Sequence, residues 1–443
     1  MITKVMFQKD SVEITAIVLF VLTYILLLIF PKIRAYIALG SAAVFVILGI
    51  LPVGKVFSTV DWNVIMMIAG TMGVVSLFIE SKMPSLLADL IIEKTHNVKW
   101  AIISLALFAG IISAFVDNVA TVLMVAPVAL NISKKLKISP VPGIISIAIS
   151  SNLQGAATLV GDTTSILLGS HANLDFLDFF VCRGRPGMFW VVQAGAVVST
   201  FVLLWIFRKE KQPIQAMERT EVKDYFPTYL LAGMIVLLIL ASFVPKQFTL
   251  GSLHFTKPDA INGIICVALF VIGLIRSLII RKDFKVVTRA LKEIDYFTIL
   301  LLAGLFIVIG GITEAGVVED ISHIFVNVSG GNLFALYSLI VWASVLFSAF
   351  IDNIPYVATM LPVAGAIAAN LGIDPIMLYF GLLTGATLGG NLTPIGASAN
   401  IAGLGILRKD GYEVGTWDFM KISVPFTLAA VVTGYLLVWL IWA

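Results

Sequence analysis

Asp117 and Asp352 each interrupt an apolar, otherwise uncharged stretch, and each is followed by asparagine: Ser113-Ala-Phe-Val-Asp117-Asn118-Val and Ser348-Ala-Phe-Ile-Asp352-Asn353-Ile. A carboxylate in such surroundings holds either a proton or a cation, and that competition is the physical basis of cation–proton coupling. If the stretch lies in a bilayer, the charge costs roughly 2.5–3.5 kcal/mol on insertion scales, so it is rare without a task. The bland alternative is that each Asp caps a helix that starts mid-stretch. Asn118 and Asn353 can ligate a cation through the amide oxygen or satisfy backbone freed by a chain break; both roles stay open. Pro355 suits the first turn of a helix after such a break.

A second pair of segments carries chemistry of another kind. Gly155, Thr158, Gly161, Asp162 and Thr163 recur as Gly390 (with Asn391), Thr393, Gly396, Ala397 and Ser398, and Asn400 stands where the first half has Ser165. Glycine lets a chain leave the helix, and hydroxyls re-satisfy its backbone. Unwound carbonyls can ligate Na⁺, and helix N-termini attract anions. Asp162 has no acidic counterpart, so the two half-sites are expected to differ. Asp61 and Asp295 begin apolar segments beside Trp62 and Tyr296 and read as interfacial anchors. Glu80 and Glu314 sit at segment ends, and Glu314, Glu319 and Asp320 read as a solvated face. No Lys or Arg occupies the centre of an apolar segment, so the expected cavity is acidic. That favours a cation or a neutral solute, without excluding an anion carried together with several Na⁺.

These residues need a membrane to hold them. Of 443 residues 59% are hydrophobic and 12% charged, against about 25% charged in soluble proteins, and mean hydropathy is +1.03. The chain is an all-α, multi-pass protein of the plasma (inner) membrane with the lipid bilayer as its surroundings. A net charge of +3 with no basic aromatic patch gives no reason to expect nucleic acid. Cys182 and Cys266 make no disulfide framework, and His96, His171, His254 and His323 share no ligand spacing. No metal site is expected beyond Na⁺ at the residues above, and no cofactor. No small-residue cleavage site follows the first apolar run, which is expected to remain a span.

Apolar runs give full spans near 14–30, 36–52, 62–79, 188–207, 228–244, 259–279, 296–312 and 420–442, with interrupted crossings at 142–170 and 376–407. Segments 100–131 and 332–369 carry the central Asp-Asn. If each were a single span, Lys134, Lys135 and Lys137 would lie opposite Lys82, Lys94 and Lys99. As re-entrant hairpins they keep all six lysines on one side. The basic groups at 208–223 and 276–292 (Arg276, Arg281, Lys282, Lys285, Arg289, Lys292) join them, which makes that side the cytoplasm. The expectation is ten spans, two hairpins and both termini outside.

The motifs repeat at an offset of 235, from 113–118 to 348–353 and from 155–161 to 390–396. Upstream, Val60-Asp61-Trp62 and Ala69-Gly70 match Ile294-Asp295-Tyr296 and Ala303-Gly304 at 234. This is an internal duplication: repeat one at 1–207, a cytoplasmic linker at 208–227 and repeat two at 228–443. Each half has five spans and a hairpin. An odd number of spans inverts the second half, a pattern typical of secondary transporters with a midplane site.

Asp117-Asn118-Val-Ala-Thr-Val-Leu, Asp352-Asn353-Ile-Pro-Tyr-Val-Ala-Thr-Met and Gly389-Gly-Asn-Leu-Thr-Pro-Ile-Gly-Ala-Ser-Ala-Asn400 resemble the ArsB, P protein and NhaD branch of the ion transporter superfamily, which is related to the divalent anion:sodium symporters. The resemblance spans nearly the whole chain. It implies a scaffold domain, a transport domain holding both hairpins and both broken helices, an elevator motion and a homodimer. Asp117-Asn118 and Asp352-Asn353 become hairpin tips that bind substrate and coupling ion together with the breaks 155–163 and 390–398. One departure stands out: where the P protein branch has Gly-Asp-Pro-Pro-Asn, this chain has Gly161-Asp162-Thr163-Thr164-Ser165.

The expected function is secondary active ion transport, not enzymatic catalysis, with Na⁺/H⁺ exchange as the first choice because acidic tips without basic partners suit it. Arsenite or antimonite efflux is an alternative that needs only hydrogen-bond partners. Na⁺- or H⁺-coupled carboxylate transport, of citrate or dicarboxylates, is another. A channel is a third possibility, against which a saturable flux driven uphill by a proton or Na⁺ gradient would argue. An intramembrane aspartyl protease would also use two buried Asp, but Leu159-Val160-Gly161-Asp162 lacks the first Gly of its Gly-x-Gly-Asp.

Overall fold

Apolar runs become helices because a backbone shielded from water must bond to itself. The computed structural model describes residues 2–213, 219–245, 247–250, 253–280, 282 and 284–443. Positions 214–218 of the linker and Arg281 lie outside the described residues. The first repeat runs α1 (Ile2–Ile29), α2 (Arg34–Ile47), a one-turn α3 (Val56–Thr59), α4 (Trp62–Glu80), α5 (Met83–Glu93), α6 (Val98–Ser113), α7 (Asn118–Leu136), α8 (Val141–Gly155), α9 (Thr163–His171) and α10 (Met188–Ile206). The second keeps the same order: α11 (Phe226–Ser242), α12 (Ile261–Ile279), α13 (Phe284–Lys292), α14 (Tyr296–Glu314), α15 (Val317–Val328), α16 (Leu333–Ser348), α17 (Asn353–Leu371), α18 (Ile376–Gly389), α19 (Ser398–Lys409) and α20 (Thr416–Trp442).

Of the eight full spans expected beside the two interrupted crossings, two are shorter than their apolar runs. Among the described residues eight helices are long and apolar enough to cross a bilayer, and two of these, α7 and α17, are return arms of the hairpins. The expected span 36–52 shortens to the 14 residues of α2, because Gly49 turns the chain at φ +71° and Pro52 follows. The expected span 228–244 gives an α11 of 17 residues. The interrupted crossings split into α8 with α9 and α18 with α19, each half too short alone.

The hairpins are re-entrant and enter from opposite faces. At the first, Val98 N–H donates to Gln212 O and Lys99 N–H to Glu210 O, both at 3.0 Å. At its other end Lys134 pairs with Asp410. Residues 210–212 follow α10, and Asp410 precedes α20. Those two helices run antiparallel, since Arg185 Nη1 reaches Ile441 O at 2.7 Å and Ser199 Oγ reaches Phe426 O at 3.0 Å. Both ends of the first hairpin therefore lie on one face, the one that carries the basic loops. The second hairpin begins against the far end of α20, where Tyr337 Oη donates to Tyr435 O at 2.8 Å. It finishes near Asp374, which pairs with Arg183 just before α10. Both of its ends lie on the opposite face.

The two repeats are interlocked. Gly70 on α4 lies against Val267 on α12, where a Cβ would come within 2.6 Å of the backbone N; Gly304 on α14 lies against Leu39 on α2, where it would come within 2.7 Å. Close approach without a Cβ is what the repeated Ala-Gly provides. Arg289 pairs with Glu80, and Lys55 with Glu314 at 2.7 Å. These two ion pairs are related by the 234 offset, so they are structural ties at segment ends. The linker is fastened to the first repeat: Arg219 grips both oxygens of Glu93 at 2.6 and 2.8 Å, which holds the Glu93 carboxyl below its ordinary range. Thr220 donates to Asp89 through N–H at 2.8 Å and Oγ1 at 2.6 Å.

Candidate functional site

Each Asp-Asn sits at the tip of its hairpin. Asp117 caps α7 by accepting from Ala120 N–H at 3.0 Å, and Asp352 caps α17 by accepting from Ile354 N–H at 3.1 Å. The capping role weighed for these residues is thus real, and it leaves carboxylate lone pairs over. At each tip the break of the following crossing closes in. Thr158 Oγ1 donates to Ala114 O, and Thr393 Oγ1 to Ala349 O. A Cβ at Gly161 would lie 2.8 Å from Ala114 O, and one at Gly396 2.8 Å from Ala349 O. Ser165 Oγ donates to Gly155 O at 3.3 Å, and Asn400 Nδ2 to Gly390 O at 3.3 Å. The breaks are therefore near copies of each other.

The halves meet at the site. Asn118 Nδ2 donates to Asn152 Oδ1 at 3.0 Å, and Asn152 Nδ2 donates to Thr387 O at 2.8 Å. Thr164 Oγ1 lies 2.8 Å from Asp162 Oδ2, to which it donates, and 2.9 Å from Thr387 Oγ1. Asn391 Nδ2 donates to Ile149 O at 2.9 Å. Two buried oxygens, Asn391 Oδ1 and Asn400 Oδ1, have no hydrogen-bond partner among the described residues. Each keeps its lone pairs free, and an amide oxygen is a ligand type that a hard cation accepts.

A cavity of about 160 Å³ opens beside this junction. It gathers Asp117, Asn118, Asp162, Thr163, Asn353 and Ser398 from among the expected site residues. Gly155, Thr158, Gly161, Gly390, Asn391, Thr393, Gly396 and Asn400 lie behind them as the scaffold of the breaks. The cavity extends past Ile79, Glu293 and Asp295 toward the basic face. Asp295 caps α14, with Thr298 N–H donating at 3.0 Å and Thr298 Oγ1 at 2.5 Å. It was expected to be an interfacial anchor, and it also lines the cavity wall. Its repeat mate Asp61 caps α4 and borders a separate cavity of about 770 Å³ on the opposite face.

Asp352 departs from the expected acidic tip without a basic partner. Its carboxylate does not line the cavity; it pairs with Arg34 at the start of α2. Beside it Tyr24 Oη donates to Pro355 O at 2.8 Å and meets Thr359. Arg34 lies at the head of an apolar run, where nothing local signals that its guanidinium reaches a hairpin tip from another repeat. Asn152 and Thr387 were also missed, although they stand at the 235 offset that ties the other site residues together.

The sequence profile of the CitMHS citrate transporter family matches residues 24–385. An uncharacterised transporter of Mycobacterium tuberculosis is 30% identical over 437 residues, covering 97% of this chain and 98% of that one. The P protein of Mus musculus is 26% identical, covering 90% of this chain and 56% of that protein. In fold, the chain is similar to the YdaH transporter of Alcanivorax borkumensis, with a TM-score of 0.60 at 15% identity over 87% of this chain and 86% of that one. It is also similar to MtrF of Neisseria gonorrhoeae, with a TM-score of 0.54 at 16% identity over 85% and 80%.

Proposed function

The chain belongs to the CitMHS citrate transporter family, and from that premise we propose that it is a secondary active transporter exchanging Na⁺ for protons, with Asp117 as the exchanging carboxylate. One observation carries the reading: the cavity holds Asp117, Asp162, Glu293 and Asp295, and among the described residues no Lys or Arg lines it. Four acids without a fixed cation attract a mobile cation or protons. Asn118, Asp162 and Thr163 supply further oxygens, and Asn391 and Asn400 supply the unpartnered ones behind them. Asp295 at one face and Asp61 at the other suit alternating access, with the hairpins and broken crossings moving as one elevator body in a homodimer.

The family description favours a second reading, citrate transport. A bare tricarboxylate would be repelled by this lining, so citrate would enter with its charge neutralised by bound cations or protons. An ion screen separates the two readings. Proteoliposomes carrying a pH dye are expected to change internal pH when Na⁺ is added alone. No response to Na⁺, with a response to citrate only when a cation accompanies it, would move the substrate to the second reading.

A further inference from the structure

We propose that Arg34 is a tethered cation that fills the second of two symmetry-related cation sites and so fixes how many mobile cations the transporter carries. This deepens the Na⁺/H⁺ reading above and rests on it.

The two tips share sequence, turn and cap. Each Asp caps its return helix, each is half-buried, and each is backed by a break whose Gly and Thr contacts are superimposable. Each tip carboxylate, so held, has lone pairs free for a cation, the first with Asp162 beside it and the second with Ala397 in that place. They differ in what faces them. Asp117 faces the cavity, and among the described residues no cationic side chain lines it. Asp352 faces Arg34, whose Nη1 is bonded to its Oδ2.

Arg34 has no repeat mate. The matching approaches of Gly70 to Val267 and of Gly304 to Leu39 relate α2 to α12 at an offset of 228, which puts the uncharged Asn262 opposite Arg34. The structural ion pairs Arg289–Glu80 and Lys55–Glu314, by contrast, occur in symmetric duplicate. The unduplicated pairs Lys134–Asp410 and Arg183–Asp374 tie the outer ends of the hairpins, whereas Arg34–Asp352 sits at a tip, on the carboxylate equivalent to Asp117. The guanidinium is also built in: its carbon sits 6.0 Å from the Phe297 ring centroid, its Nε is buried without a hydrogen-bond partner among the described residues, and Tyr24 holds the adjoining turn at Pro355. An always-charged guanidinium in that position satisfies Asp352 permanently, and of the two tip carboxylates a mobile cation is left Asp117 to exchange at.

The test is the Na⁺ dependence of proton movement by the full chain in proteoliposomes, with melting in detergent as a check on folding. The unsubstituted chain is expected to show a Hill coefficient near one for Na⁺. Arg34→Ala vacates the second site and is expected to raise the coefficient toward two. Arg34→Ala/Asp352→Asn removes the acid as well and returns it to one, and Arg34→Lys keeps the original value. A merely structural Arg34 would change the amount of folded protein and leave the coefficient alone. If Arg34→Ala melts early, Arg34→Gln, which retains hydrogen-bonding capacity, carries the same expectation. A coefficient of one in the folded variant, beside a normal response in the unsubstituted chain, overturns this inference alone. No Na⁺ response in the unsubstituted chain overturns the parent reading along with it.

Discussion

Asp117 and Asp352 occupy the same turn of two hairpins that enter from opposite faces, and the contrast between them organises the site. Asp117 looks into the cavity beside Asp162. Asp352 looks toward α2 and is neutralised by Arg34. Behind the tips the breaks remain alike, with Thr158 and Thr393 making the same bond and Gly161 and Gly396 the same close approach. Duplication thus preserved the backbone scaffold in both halves and let the charges diverge. The scaffold is held by steric and hydrogen-bond requirements that each half meets locally. The charge on a tip depends on what another part of the chain brings up to it.

The largest effect is expected from splitting the two acids. Asp117→Asn should reduce coupled transport by roughly 100-fold, the scale of losing a contact to a charged group, with melting almost unchanged. Asp352→Asn should instead cost stability, because it strands the Arg34 guanidinium. Removing one partner of a buried pair costs about 3–5 kcal/mol, and partial exposure reduces this to about 2 kcal/mol. Arg34→Gln/Asp352→Asn should recover most of that. Transport and melting assays on the three proteins settle it; equal loss of transport in both single mutants would break the contrast.

The breaks should respond alike where the tips do not. Gly161→Ala puts a Cβ within 2.6 Å of Gly155 O, and Gly396→Ala within 2.6 Å of Gly390 O. Each should lose about 1–3 kcal/mol, by similar amounts in thermal unfolding. A large difference between them would show that the scaffolds are less equivalent than their contacts.

Asp162→Ala removes the acid that the second half lacks at Ala397. Na⁺ affinity should fall about tenfold, as for one charge-assisted ligand, while maximal rate changes less. An unchanged affinity would confine the cation to Asp117 and its amide neighbours.

The smallest effect concerns orientation. A thiol introduced by Lys135→Cys should be labelled by an impermeant maleimide from the cytoplasmic side only and leave transport intact. The native background should be quiet, since Cys182 is fully buried and burial pushes its thiol up to about 11. Labelling of Lys135→Cys from the outside would reverse the orientation assigned to the basic face.

The sequence by itself determined a great deal. Apolar runs set the helices, since an unhydrated backbone has few alternatives. The 235 offset located both tips and both breaks, because duplicated local chemistry leaves duplicated local residues. The inversion followed from an odd number of segments. Crossing lengths were less legible: α2 ended early at Gly49, and α11 came to only 17 residues. What only the tertiary structure decided were the contacts between distant segments. Nothing near Arg34 announces Asp352, 318 positions away. Nothing near Asp295 announces that its cap also borders the cavity holding Asp117. Helix formation and capping are governed by neighbours within a few residues, so they can be read along the chain. The charge that faces a carboxylate acts through space, and it is fixed only when the two repeats interlock.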